Sequence, residues 1–260
     1  MAHARVTVLI ENAAGKPGLR SEHGVSYHVV ADGKAGLFDV GASDRILENA
    51  KTLGVDLAAV DWIALSHGHN DHTGGLEFVL PAIAGRPDLY AHPAALERKL
   101  GLKDGVGRDI GMRMPRDEVE SAARIVPSPE PVRITKSVLL SGEIPRTTFF
   151  EPPAEHFVKV VNGETAIDTM PDDLSIAIGT PAGWIVLLGC AHSGPVNVLA
   201  RMKELTGAES FAWVIGGMHL NGVPESRIAK TVASFREMNV EKVAPNHCSG
   251  AGAVEAFRKE

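Results

Sequence analysis

Cysteine is nearly absent. The 260 residues include only Cys190 and Cys248, so no disulfide framework beyond a single bond can form. Each lies within two residues of a histidine, in "GCAHSG" and "NHCSG", which marks them as site residues rather than a crosslink. Long hydrophobic runs are missing too. The N-terminal "MAHARVTVLIENAAGK" is apolar only from Val6 to Ile10, too short for a signal segment or a membrane span, so the cytoplasm is the expected location. Positive charge is in the minority, with 26 Lys and Arg against 32 Asp and Glu for a net charge of -6. Its scatter along the chain argues against nucleic acid or a membrane surface as the main partner. Low-complexity tracts and repeats are lacking as well. What remains is a chain with 44% hydrophobic residues, long enough to bury a large core, and a single domain over residues 1–260 is the expectation.

The first third alternates strand and turn signals. "RVTVLIE", "VSYHVVAD" and "AGLFDVG" are short, β-branched or aromatic, and separated by glycine-containing loops, as adjacent antiparallel strands are. Ser43 can cap a helix through "DRILENAKTLG", with Ile46, Leu47, Ala50 and Leu53 on one face and Gly54 ending it. The apolar strand "DWIALSH" then delivers His67 to its C-terminal end, where α/β proteins usually place ligands. A helix over 73–84, the strand "DLYAH" and a helix after His92 and Pro93 follow. Residues 101–118 carry glycines at 101, 105, 107 and 111 with no steady period, which predicts an irregular, mobile lid over a site.

Strand signals return in "ARIVPS", "VRIT" and "SVLLSG", and "DLSIAIG" with "WIVLLGC" reads as a hairpin around "TPAG". A helix near 195–206, the strand "FAWVIGG", a helix near 224–238, the strand "EKVAP" and a final helix complete the chain. The second half thus repeats the strand-then-helix grammar of the first. That predicts an α/β (α+β) architecture of two sheets packed face to face with helices outside.

The densest chemistry is "SHGHNDHTGG", residues 66–75, which holds three of the 11 histidines together with Asp71. His67 and His69 alternate as strand-end residues do, while Asp71 and His72 lie just beyond, where a turn opens a helix. Four side chains suited to a metal ion could therefore converge from one loop. His192, His219 and His247 each follow a predicted strand, close to a glycine and ahead of a helix, and so share the position of His67.

With "FDVG" and these later histidines, the HxHxDH pattern of "SHGHNDHTGG" resembles the metallo-β-lactamase superfamily over nearly the whole chain. "GEIPR", "PDDLSIAI", "GCAHSGPVN", "IGGMHL" and "APNHCSG" are similar to its branch of mostly unassigned hydrolases that contains the dihydropterin ribofuranosylaminobenzene 5'-phosphate synthase family. The resemblance implies an αββα sandwich of mixed sheets holding one or two divalent metal ions, usually zinc, with manganese or iron as alternatives. It places His67 and His69 on one metal, Asp71, His72 and His247 on the second, His192 among the ligands, and Asp39 as a supporting residue behind them. One departure matters: Cys190 stands where most superfamily hydrolases carry a bridging aspartate, and "DTMPDDLS" stands where they carry a further histidine. His192 is the favoured replacement for that histidine, with Asp172 or Asp173 as alternatives, and Cys190 is either a thiolate ligand or a small buried residue.

The chemistry implied is hydrolysis of an ester, amide or phosphoester of a small molecule by metal-activated water, with Asp71 and His219 as catalytic residues. His219 is the expected proton donor or substrate hydrogen-bonder. Arg108, Arg113 and Arg116 of the lid and Arg146 of "GEIPR" are expected to hold an anionic substrate, with Arg113 and Arg146 foremost. The alternatives are a condensation on a pterin diphosphate and a non-catalytic metal-containing sensor.

Overall fold

The computed structural model describes residues 3–161 and 163–260. In chain order the first strands are β1 (Arg5–Ile10), β2 (Ser26–Ala31), β3 (Lys34–Phe38), β4 (Trp62–Ala64), β5 (Asp88–Ala91), β6 (Lys99–Lys103), β7 (Val106–Asp109) and β8 (Arg124–Pro127). The second half supplies β9 (Val132–Arg133), β10 (Val138–Leu140), β11 (Phe157–Val161), β12 (Glu164–Ile167), β13 (Ser175–Thr180), β14 (Gly183–Leu188), β15 (Phe211–Gly217) and β16 (Val243–Asn246). The helices are α1 (Arg45–Leu53), α2 (Asn70–Thr73), α3 (Leu76–Val79), α4 (Arg116–Ala122), α5 (Pro195–Thr206), α6 (Glu225–Glu237) and α7 (Gly250–Arg258).

One sheet runs β1-β2-β3-β4-β5-β8, antiparallel up to β3 and parallel beyond it. The other runs β16-β15-β14-β13-β10-β9, parallel from β16 to β14 and antiparallel beyond. Local sequence explains the alternation. Asp32 and Gly33, with φ of 54° and 76°, form the two-residue turn whose twist suits the β2–β3 hairpin. The parallel pairs need a longer crossover, which α1 supplies between β3 and β4, α5 between β14 and β15, and α6 between β15 and β16.

The period-2 pattern assigns the faces. Tyr27, Val29, Phe38 and Trp62 of the first sheet meet Leu140, Ile176, Ile178 and Leu187 of the second in a shared inner core. On the outer faces, Leu37, Ile63 and Leu89 pack on Ile46 and Ala50 of α1, and Val186 and Val214 pack on Leu199, Met202 and Phe235 of α5 and α6. The layers therefore run helix, sheet, sheet, helix, as the strand-then-helix grammar requires. No helix among the described residues is long and apolar enough to cross a membrane.

Three expectations are corrected. Residues 101–118 are not irregular: β6 and β7 form a hairpin that joins β11 and β12 in a third, four-stranded sheet of order β12-β11-β6-β7, and α4 begins at Arg116. Asp104 and Gly105 at its tip have φ of 52° and 75°, the same two-residue turn as in β2–β3, so the glycines serve a hairpin and not a loop. The helix over 73–84 is broken into α2, α3 and a 3-10 turn at Leu80–Ala82. A Cβ on Gly75 would lie 2.1 Å from the Val40 carbonyl, and this close approach replaces regular helix packing at that point. The helix after Pro93 is a single 3-10 turn, Pro93–Leu96.

Candidate metal centre

Asp39 follows β3, His67 lies just beyond β4, Cys190 and His192 follow β14, His219 follows β15 and His247 follows β16. Four of the residues beyond these strand ends, Asp39, Ala191, His219 and His247, hold φ between 47° and 59° without being glycine. Such left-handed residues cost on the order of 1 kcal/mol or more each and gather where the surrounding structure over-determines them.

The histidines fall into groups. His67, His69 and His192 are buried, and their ligating atoms lie within 4.8 Å of one another, as do those of Asp71, His72, Cys190 and His247. The Nε2 atoms of His67 and His192 are 3.2 Å apart, and so are those of His72 and His247. The Cys190 Sγ stands 3.2 Å from His72 Nε2, and Asp71 Oδ2 stands 3.2 Å from His247 Nε2. A third combination, Cys190, His192 and His219, is also close enough to share an ion.

Hydrogen bonds at the back of each ring decide which nitrogen faces inward. Asp39, fully buried, accepts from the Ser66 N–H with Oδ1 and from both the Ser66 hydroxyl and His72 Nδ1 with Oδ2, each at 2.7 Å. Because the Ser66 hydroxyl spends its proton on Asp39, it accepts from His67 Nδ1 at 2.9 Å. Asn12 Oδ1 accepts from the Gly24 N–H, so at His247 Nδ1, 2.9 Å away, it again receives a proton. His67, His72 and His247 therefore direct Nε2 inward, that of His67 at His192 and those of His72 and His247 at each other. Lone pairs converging at such distances repel unless a proton or a metal ion lies between them.

The electrostatics agree. Burial first, then neighbouring imidazoles, pushes His67 and His192 well below the ordinary histidine value, and burial takes His69 down to about 3. These three are neutral, as metal ligands must be. Burial also pulls on His72, but Asp71 and Asp39 outweigh it and carry His72 up to about 10, so without a metal a proton supplies the positive charge. His69 Nε2 is buried with no hydrogen-bond partner among the described residues. Orphaned nitrogens, neutral imidazoles and a carboxylate around one space fit a divalent cation.

The site opens on a cavity of about 510 Å³ lined by Asp71, His192, His219 and His247, with Arg108 and Phe157 on its third-sheet wall. The Phe157 ring lies 4.9 Å from His69, 5.1 Å from His192 and 5.9 Å from His219. Two grooves of similar size, one along β1 and β16 and one between α6 and α7, bring together no comparable set of histidines.

A family model described as "Metallo-beta-lactamase superfamily" matches residues 20–183. The chain belongs to the metallo-beta-lactamase superfamily. Within this superfamily it is 32% identical to Tm1679, whose crystal structure is described as that of a metal-dependent hydrolase; the match covers 99% of this chain and 93% of that one at a TM-score of 0.85. It is 29% identical to the 7,8-dihydropterin-6-methyl-4-(beta-D-ribofuranosyl)-aminobenzene-5'-phosphate synthase of Methanocaldococcus jannaschii, across 98% of this chain and 91% of the relative. The metallo-beta-lactamase fold protein YhfI from Bacillus subtilis, at 11% identity and a TM-score of 0.55 over 99% of this chain and 92% of that one, shares the fold alone.

Against the superfamily pattern, the structure brings His67, His69, Asp71, His72, His192 and His247 to one place, with Cys190 beside them. His192 stands in a ligand group, whereas Asp172 and Asp173 do not. Asp172 accepts the Gly68 N–H, and Asp173 accepts the Ser193 N–H while burial pushes it up to about 6. Arg146 spends its guanidinium on the carbonyls of His192 and Thr169, and Arg113 lies on the surface, so neither lines the cavity. Among the described arginines Arg108 alone does. Asn12, His23 and Phe157 escaped the sequence analysis. The contact of Asn12 with His247 spans 235 residues, which no local pattern reports, and Ser66 stands inside the quoted motif but its hydroxyl gives no spacing signal.

Proposed function

We propose that the protein is a metal-dependent hydrolase of a small, anionic ester, amide or phosphoester. The observation that carries this reading is the convergence of the inward-facing nitrogens of His67, His72, His192 and His247, with Asp71, beside an open cavity that Asp71, His192 and His247 line. The 32% identical relative described as a metal-dependent hydrolase supports it. Zinc suits imidazoles beside a thiol and a carboxylate, with room for one ion in each group. A bound ion lowers the pKa of a coordinated water toward about 7 and polarises the electrophile.

The residues of the chain do the rest. Asp71 orients the attacking water with its carboxylate, whose Oδ2 also accepts from His23 Nε2, 3.3 Å away on a side chain that is 71% exposed, and the water's proton leaves to solvent through the open cavity. His219, which also lines the cavity, donates to the leaving group. Phe157 covers the histidines against bulk water, and Arg108, whose side chain has no ion pair or hydrogen bond among the described residues, binds the substrate's negative charge. The test is a panel of nitrophenyl esters, phosphodiesters, lactones and anilides with zinc- or manganese-loaded protein, beside His67→Ala. Turnover by the wild type and its loss in the variant support hydrolysis.

A second reading rests on the 29% identical synthase: the same site activates a diphosphate leaving group, and an aminobenzene riboside phosphate attacks in place of water. Incubating the protein with both reactants and weighing the product by mass spectrometry separates the two. A metal-loaded protein silent in both assays would instead be a ligand sensor.

A further inference from the structure

Lys99 is a buried cation that the chemistry above does not use. Its ammonium lies 2.7 Å from Asp168 Oδ2 and 2.9 Å from Asp172 Oδ1, and all three side chains are at most 1% exposed. Taking three charges out of water is costly, and apolar residues in such a place are often as stable, so stability alone explains the triad poorly. The remaining bonds show what it holds. Asp172 Oδ2 accepts the backbone N–H of Gly68 at 2.8 Å, and Gly68 is the residue between His67 and His69. A Cβ on Gly68 would fall 2.3 Å from the Ala95 carbonyl oxygen, so this part of the loop has no side chain of its own to anchor it. Asp168 faces the other way. Its Oδ1 accepts the Met170 N–H and its backbone N–H donates to the Phe157 carbonyl. Lys99 pairs with Lys159 on β11, the strand that opens with Phe157.

We propose that Lys99 is a positioning residue: acting through Asp172, it fixes the Gly68 N–H, and with it the backbone that carries His67 and His69, so that the third sheet and the metal centre are held as one unit. This rests on the metal reading made under Proposed function. The two carboxylates give an internal comparison, because both are buried and both pair with Lys99, but only Asp172 hydrogen-bonds the histidine loop.

The experiment is a cobalt(II) titration of chelator-stripped wild type, Lys99→Met, Asp168→Ala and Asp172→Ala, with folding checked by thermal melting. It reads both affinity and the shape of the visible cobalt bands. Asp172→Ala and Lys99→Met are expected to bind about 10–100-fold more weakly with altered bands, while Asp168→Ala stays within about threefold of wild type despite a comparable fall in melting temperature. Wild-type affinity and bands in Asp172→Ala would overturn the proposal and leave the triad a purely structural one. If Lys99→Met does not fold, the aspartate pair decides the matter. A wild type that binds neither cobalt nor zinc overturns the metal reading and this inference together, whereas a wild type that binds while the variants match it overturns this inference alone.

Discussion

Asp39 serves both halves of the centre at once. It holds His72 directly and His67 through the Ser66 hydroxyl, so a single carboxylate sets the tautomers of histidines in both ligand groups. In Asp39→Asn the amide nitrogen must face one of these donors, and zinc affinity is expected to fall about 10–100-fold in a chelator-competition titration. Unchanged affinity would show that the rings are held by packing alone. His219 is separable from the ligands by the same logic. His219→Ala is expected to keep its metal and lose turnover by about 100-fold, the loss typical of a missing general acid. Metal loss equal to that of His67→Ala would instead make it a ligand in the combination with Cys190 and His192. At this scale the sequence was legible where the chemistry is local. His67, His69, Asp71 and His72 lie within six positions, and their convergence follows from a strand end and a turn. Asn12 beside His247 Nδ1, Glu11, which accepts the His247 N–H at 2.8 Å, and Lys99 beside Asp168 were silent because these partners are 69 to 236 residues away. Arg146 misled because an arginine in a glycine- and proline-flanked loop looks free, whereas here the backbone of His192 and Thr169 takes its fork.

The strand and helix order of the sandwich was readable because each strand meets one sheet face and one core, so the period-2 and 3.6 patterns stay clean. The third sheet was not. β7 is exposed along its whole length and β12 likewise, so neither carries the apolar alternation by which a strand is recognised. Asp104–Gly105 was the missed signal. This element carries Arg108, the residue proposed to bind the substrate's negative charge. Arg108→Ala is expected to raise KM for an anionic ester about tenfold or more while leaving kcat and the KM of a neutral ester nearly unchanged, since a charge-assisted bond to substrate is lost and no catalytic group is touched. Equal effects on both esters would remove Arg108 from recognition. Hydrogen exchange tests the lid expectation on the same hairpin: amides at 104–107 should exchange fast, and those at 99–101, paired with β11, slowly. Uniform slow exchange would mean that the hairpin is a fixed wall and not a lid.

The whole molecule inherits a pH dependence from its centre. Burial holds His67, His69 and His192 below their ordinary value of 6.5, so as pH falls from about 6.5 toward 3 the unfolded chain takes up protons that the folded chain refuses, and stability is lost. His72 runs the other way: with its value raised to about 10, its stabilising proton is fully present below 6.5 and is lost as pH rises through 10. The metal-free protein is therefore expected to melt highest near pH 6.5 and lower on both sides, with added zinc flattening the alkaline limb because the ion replaces the proton on His72. A melting temperature that climbs steadily from pH 6.5 to 10 without metal would contradict this. The most direct test of the metal centre itself is elemental analysis of protein purified without chelator, joined to anomalous diffraction from its crystals. The expected result is one or two divalent ions per chain, seated against His67, His69 and His192 and against Asp71, His72 and His247. Less than about 0.2 ion per chain, with no rebinding of zinc or manganese, would contradict the account.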